Sequence, residues 1–160
     1  MSGDVILRDA VPGDEALVAA FVRKLAEYER LLQEVRGTDA DFHRALFDSP
    51  QRAWALFAEC DGRAVGFGLW FYIFSTFAAK PGLYVEDVFV LPEHRGRGIG
   101  RMIFRHLARR ALDEGCARME WSVLNWNTPS IGFYRSIGAR AMDDWTVQRL
   151  DGDALRNFAG

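Results

Sequence analysis

Tyr84-Val85-Glu86-Asp87-Val88-Phe89-Val90-Leu91, then Pro92-Glu93-His94, then Arg95-Gly96-Arg97-Gly98-Ile99-Gly100-Arg101: the reading of this stretch decides the fold. Tyr84 to Leu91 is almost all β-formers, broken only by Glu86 and Asp87, and predicts a strand. Pro92 stops it. The three glycines let the backbone turn tightly and come close to a ligand. Ile99, Ile103 and Leu107 then recur on one face and predict a long helix to about Glu114, with Gly115 at its C-terminal end. The first amides of a helix lack intrahelical acceptors, and the helix dipole favours negative charge there. The spacing is neither GxGxxG nor GxxxxGK[ST], so neither a dinucleotide fold nor a nucleoside triphosphatase is indicated. On the loop alone, an anion site and a plain glycine-rich turn stay equally open.

Outward from this stretch, strands and helices mix. Val5 to Arg8 predicts a first strand. Leu17, Phe21, Leu25 and Tyr28 predict a helix, which Gly37 closes off. Thr38 is an N-cap with Asp41 three residues on, and a short helix follows to about Phe47. Trp54 to Cys60 and Ala64 to Phe74 read as strands joined at the hairpin signal Asp61-Gly62. Lys80-Pro81-Gly82 marks a turn. Past the long helix, Arg118 to Val123 predicts a strand. Pro129 opens a helix that ends at Ile137, and Arg140 to Leu150 supplies one or two last strands. The expectation is one mixed α/β domain over residues 4–150 with a tail over 151–160.

Composition narrows the function. The 160 residues are 49% hydrophobic and 26% charged, with 20 basic against 22 acidic side chains and a net charge of −2. That is ordinary globular composition, and it excludes collagen, coiled coil, repeat array and disorder. Negative net charge argues against nucleic-acid binding by the stripe Arg97, Arg101, Arg105 and Arg109. The longest apolar run, Phe67 to Phe74, is too short to span a bilayer. No leader pattern opens the chain. Two cysteines make no disulfide framework, and a reducing, cytoplasmic setting is expected. His43, His94 and His106 form no ligand spacing with Cys60 or Cys116, so no metal is expected.

Arg95-x-x-Gly98-x-Gly100 between a strand and a long helix resembles the acetyl-CoA signature of the GCN5-related N-acetyltransferases. Asn127-x-Pro129-Ser130-x-x-Phe133-Tyr134-x-x-x-Gly138 is similar to the family's later segment. Leu25-Ala26-x-Tyr28-Glu29, Tyr84-x-Glu86-Asp87-x-Phe89-Val90 and Trp126-Asn127-x-Pro129-Ser130 resemble the spermidine/spermine acetyltransferase branch. The resemblance implies a mixed sheet of six or seven strands with flanking helices, its fourth and fifth strands splayed to admit pantetheine. It implies acetyl-CoA as co-substrate. The backbone of Val88, Phe89 and Val90 would pair with pantetheine. Arg95, Gly96, Arg97, Gly98, Ile99, Gly100 and Arg101 would bind the cofactor, the loop amides from Gly96 to Arg101 holding its pyrophosphate. Asn127 and Ser130 would touch the cofactor farther along.

Acetyl transfer to an amine requires the amine to lose its proton and the departing thiolate to gain one. Tyr134 matches the family's general acid; a phenol stays protonated at neutral pH and is strong enough for a thiol. Glu86 matches the branch's proton-accepting glutamate. A carboxylate is a weak base for an ammonium unless desolvation shifts one of them, so Glu86 positions the amine first and serves as base second. Alternation along the strand puts Glu86 and Asp87 on opposite faces. Tyr28, Glu29, Glu86 and Asp87 match positions that bind a polyamine, and acids suit a polycation. Trp121 and Trp126 either wall the amine channel or pack in the core.

The resulting expectation is an acetyltransferase for a diamine, polyamine or thialysine-like amine. The segment Ser75 to Lys80 lacks acids, which favours shorter acceptors. Two alternatives stand beside it: an acyl-CoA-binding regulatory module without turnover, and a family member acting on another small amine. The resemblance also implies a homodimer, and Phe71, Ile73, Phe74 and Phe77 are more apolar than a solvated loop needs.

Overall fold

The computed structural model describes residues 3–160, which divide into two compact units, one running to Ser122 and the other over Val123–Gly160. The first unit carries the sheet. Its strands are β1 (Val5–Asp9), β2 (Trp54–Cys60), β3 (Arg63–Ser75), β4 (Lys80–Val90) and β5 (Met119–Glu120), and its helices are α1 (Glu15–Tyr28), α2 (Asp39–Phe47) and α3 (Ile99–Asp113). The five strands lie in sequence order, with β1 to β4 antiparallel and β5 parallel to β4.

Local chemistry sets the boundaries. Thr38 and Asp41 form a full capping box at the start of α2. The β2–β3 turn has φ of 51° at Asp61 and 72° at Gly62, the conformation that a two-residue hairpin with right-handed twist requires. Both faces of the sheet are covered. On one face Leu56, Ala58, Trp70, Leu83 and Val85 pack with Ile99, Ile103 and Leu107 of α3. On the other, Phe57, Phe67, Leu69 and Phe89 pack with Val18 and Phe21 of α1 and Leu46 of α2. β2 is therefore buried almost throughout, although its sequence alternates only weakly.

Four expectations need correction. The sheet has five strands, not six or seven. The segment 139–150 enters no ladder, and Met142, Trp145 and Val147 are exposed; an apolar alternation specifies a face but not a neighbouring strand. Lys80-Pro81-Gly82 lies inside β4, and the turn falls earlier, over 76–79, where Ala79 has φ of 50°. Pro81 is tolerated because the ladder with β5 begins only at Leu83, and the bond that crosses at Pro81 uses its carbonyl, which accepts from the Ala117 amide at 2.8 Å. The strand expected over Arg118–Val123 shortens to two residues for a reason that lies in β4. Leu69 faces Asp87 but Trp70 faces Val85, so Glu86 is an extra residue, a β-bulge. A bulge bends and twists its strand, and the pairing with β5 stops at Tyr84, two residues before it.

The second unit holds α4 (Thr128–Ser136) and α5 (Gly152–Ala159). Asn127 caps α4 by accepting from the Ser130 amide, and Pro129 stands in its first turn. The helix α5 lies where only a tail was expected.

Gly66 and Gly68 let α3 sit directly on β3. A Cβ on Gly68 would come 3.1 Å from Ile103 Cγ2, and one on Gly66 3.2 Å from the Phe89 carbonyl oxygen. Gly68→Val should therefore destabilise the fold by about 1–3 kcal/mol, the usual range for overpacking. A denaturant midpoint equal to wild type would show that α3 can lift without loss.

Candidate functional site

The bulge organises one side of the site. Leu83 and Val85 pack on the α3 face, and so do Val88 and Val90, so the parity of β4 changes across Glu86. Asp87 and Phe89 consequently belong to the α1 face. The expectation that Glu86 and Asp87 face oppositely fails here, because strict alternation holds only without an inserted residue. Both carboxylates act electrostatically with Glu29, the residue that ends α1. No basic side chain lies in the last turn of α1, so the negative end of its dipole adds to the same field. Among the described residues, none of the three carboxylates pairs with a cation.

Burial and crowding then shift the acids. Asp87 is half-buried, and its carboxyl is pushed up to about 7 by desolvation, then by Glu86 and Glu29. Glu29 is raised by burial first and by Glu86 second. Glu86 itself is exposed. Tyr28 is half-buried beside Phe89, with ring centroids 6.3 Å apart.

The other side of the site is an open strand edge leading to the glycine loop. The Leu91 amide donates to the Val65 carbonyl at 2.9 Å. By alternation, the amides and carbonyls of Val88 and Val90 point away from β3, toward the edge that β5 leaves uncovered. The Tyr84 hydroxyl and Ser122 Oγ, 2.7 Å apart, bridge β4 to the chain beyond β5 where the two strands part. Ser122 had no motif to announce it.

Gly96 and Gly98 adopt φ of 75° and 76°, and Gly98 caps α3 without a side chain. The first intrahelical bond runs from Met102 to the Gly98 carbonyl, which leaves the Ile99, Gly100 and Arg101 amides without intrahelical acceptors. A Cβ built on Gly96, Gly98 or Gly100 meets nothing within 4 Å, and the first turn has no acid. This cradle fits a pyrophosphate.

Two arginine side chains of the loop are held by the protein itself. Arg97 donates to the Gly3 carbonyl at 3.3 Å and to His94 Nδ1 at 3.1 Å, so its side chain is tied to the chain's beginning. The Arg95 Nε donates to the Val90 carbonyl at 3.0 Å, with its guanidinium over the rings of Tyr28 and Phe89. Trp121 packs edge-on to Phe104 at 5.0 Å and serves the core. In the second unit, Tyr134 is half-buried on α4 beside Phe133, and Asn127 is buried at the cap; Trp126 is half exposed. A cavity of 280 Å³ lined by Asp9, Phe47, Trp54 and Trp70 includes none of these residues. Arg110 already lies over Trp70 and pairs with Asp9, so that cavity's charge is matched. Among the described residues, no group of three or more His, Cys, Asp and Glu could hold a metal.

A helix whose first amides have no intrahelical acceptor, beside a strand edge that β5 leaves uncovered, is the arrangement of an acyl-carrier-dependent transferase. The chain belongs to the Acetyltransferase (GNAT) family, whose match covers residues 18–139. It is similar to the thialysine N-epsilon-acetyltransferase of Sus scrofa, 34% identical with 98% of each chain covered. It is also similar to an L-ornithine N5-acetyltransferase of Arabidopsis thaliana, 40% identical over 57% of this chain and 40% of that one. Among solved structures, an integron cassette protein of V. cholerae superposes with a TM-score of 0.80 at 26% identity, covering 99% of this chain and 98% of that one. The chain is an N-acetyltransferase, and enzymes of this family draw the acetyl group from acetyl-CoA.

The raised Asp87 carboxyl gives stability a direction with pH. The folded chain keeps a proton that the unfolded chain releases between 3.8 and about 7. That contribution is fully present below the unfolded value and is lost as pH rises through the folded one. Asp87→Asn cannot ionise, so its stability should gain on wild type from about pH 4 to about pH 7, by at most about 1.4 kcal/mol per pH unit. A difference that stays constant across that range refutes the shift.

Proposed function

We propose that this chain transfers the acetyl group of acetyl-CoA to a primary amine that carries a second positive charge, a thialysine-like amino acid or a diamine. The observation that carries the reading is the set of unpaired carboxylates Glu29, Glu86 and Asp87 at the bulge. They supply negative charge to a dication, and acetylation of ornithine or thialysine by the two relatives suits that chemistry. Tyr28, Glu29 and Asp87 bind the distal charge. Glu86, exposed and within the field of both acids, positions the reacting amine and passes its proton to water. Val88, Phe89 and Val90 hold pantetheine along the open edge, and the backbone amides from Gly96 to Arg101 hold the pyrophosphate, with Arg95 beside them. Asn127 and Ser130, at the start of α4, lie farther along the cofactor. The Tyr134 hydroxyl donates to the departing sulfur.

The working unit is a single acetyltransferase domain over residues 4–150, with 151–160 as a tail, in a cytoplasmic setting that suits two free cysteines. No described helix is long and apolar enough to cross a membrane, and nucleic acid is not a partner. A homodimer is favoured by the β3–β4 hairpin, where Phe74 and Phe77 are exposed. Light scattering that returns an 18.1 kDa particle at micromolar concentration rejects it.

The test is thiol release from acetyl-CoA with thialysine, a diamine, spermine and an arylamine. The expected order of kcat/KM has thialysine or the diamine first, spermine next and the arylamine last. An arylamine preferred over every dication sinks the charge argument, and no release with any amine returns the regulatory-module reading. Tyr134→Phe should lower turnover by about 10²–10⁴-fold while CoA affinity stays near wild type. Full turnover in that variant, with chemistry rate-limiting, leaves Tyr134 as packing.

A further inference from the structure

The ladder that joins β5 to β4 is two pairs long, Leu83 with Met119 and Tyr84 with Glu120. Beyond it a further link crosses the fork: the Tyr84 hydroxyl and Ser122 Oγ stand 2.7 Å apart. Both side chains are aimed by their neighbours. Leu83 and Val85 pack on the α3 face, so Tyr84 lies on the opposite one, beside its β3 partner Phe71 at a ring-centroid distance of 5.0 Å. Met119 and Trp121 also pack on the α3 face, Trp121 edge-on to Phe104, which turns Ser122 toward Tyr84. Ser122 lies two residues beyond the last ladder pair, about 6–7 Å along an extended chain. The hydroxyl bridge therefore carries the closure of the fork past the point where backbone pairing stops.

We propose that the Tyr84–Ser122 bridge sets acyl-chain length: it shuts the blind end of the fork, so that an acetyl thioester fits and longer acyl thioesters do not. The proposal rests on the acetyl-transfer reading above, in which pantetheine runs back along β4 from the glycine loop toward the bulge. The acyl group at its end then points to the vertex of the fork, and each added methylene is carried toward the bridge. The reaction is the same for every chain length. The amine nitrogen bonds to the acyl carbon, the carbon–sulfur bond breaks, and the proton lost by the amine leaves coenzyme A as the free thiol. Only the room for the acyl tail differs. A single methylene admitted or refused by a pocket changes kcat/KM by about 10–200-fold. Moving the end of closure from Ser122 back to Glu120 would give room for the two further methylenes of a butyryl group.

Thiol release from acetyl-, propionyl- and butyryl-CoA with thialysine as acceptor tests it. In wild type, kcat/KM should fall by about 100-fold or more from acetyl to butyryl. Ser122→Ala and Tyr84→Phe each delete one hydroxyl and keep the rest of the side chain. In each, the acetyl-to-butyryl ratio should fall by about tenfold or more while acetyl transfer stays near wild type; either variant serves if the other fails to fold. The double variant should be no more permissive than the singles, because both lose the same bond. Ser122→Thr keeps a hydroxyl and should keep the wild-type ratio. A role in stability alone would lower all the rates together and leave the ratio where it was. A wild type that uses butyryl-CoA as readily as acetyl-CoA, an unchanged ratio in both singles, or single effects that add in the double variant overturns the bridge. A wild-type chain that releases no thiol from acetyl-CoA with thialysine or any diamine overturns the acetyl-transfer reading with it, whereas normal acetyl transfer with an unchanged ratio overturns the bridge alone.

Discussion

One inserted residue in a central strand governs the site. With Glu86 as the odd residue of β4, the strand's two ends present the same parity to α3, while Asp87 is delivered to the face where α1 ends. The same bulge ends the pairing with β5 at Tyr84 and leaves the end of β4 uncovered by β5. Two requirements of acetyl transfer thus share one cause. On the proposed reading, the open strand edge takes an extended acyl carrier, and the bulge brings a carboxylate to the amine. A β4 of unbroken register would satisfy neither.

The electrostatics follow from that geometry. Three acids converge without a cation among them, in a chain with abundant arginine. Nearby acids elsewhere are compensated: Asp14 and Glu59 both bind Arg8, and Asp9 binds Arg110. The contrast means that the sheet's ordinary solution to charge is available and is not used at the bulge. At the other end of the site, the helix cap at Gly98 has no side chain, and the amides of the first turn add to the charge of the loop's arginines.

Much of this was legible in the residues. The strand, glycine loop and long helix follow from β-propensity, three glycines and a helical apolar period, and each of them exists close to its expected span. The Thr38 box and the Asp61-Gly62 hairpin were readable because they depend on neighbours in sequence. The bulge was not, since it is a mismatch between two strands, and Glu86-Asp87 alone reads as plain alternation. The place of Arg95 was hidden for the same reason: its motif named it, but its partners Tyr28 and Phe89 lie on distant elements. The strands expected over 140–150 show the converse fault, a pattern taken for a pairing.

The two cores on opposite faces of the sheet divide the molecule's exposure to mutation. The phosphate cradle hangs from α3, whose packing involves one set of side chains; the acid-bearing end of α1 rests on the other set. Substitutions that reshape the amine wall therefore disturb a core that the cradle does not share. A lineage built this way can trade one acceptor for another by drift in α1 and the adjoining face of β4, while the grip on its acyl donor stays under separate selection.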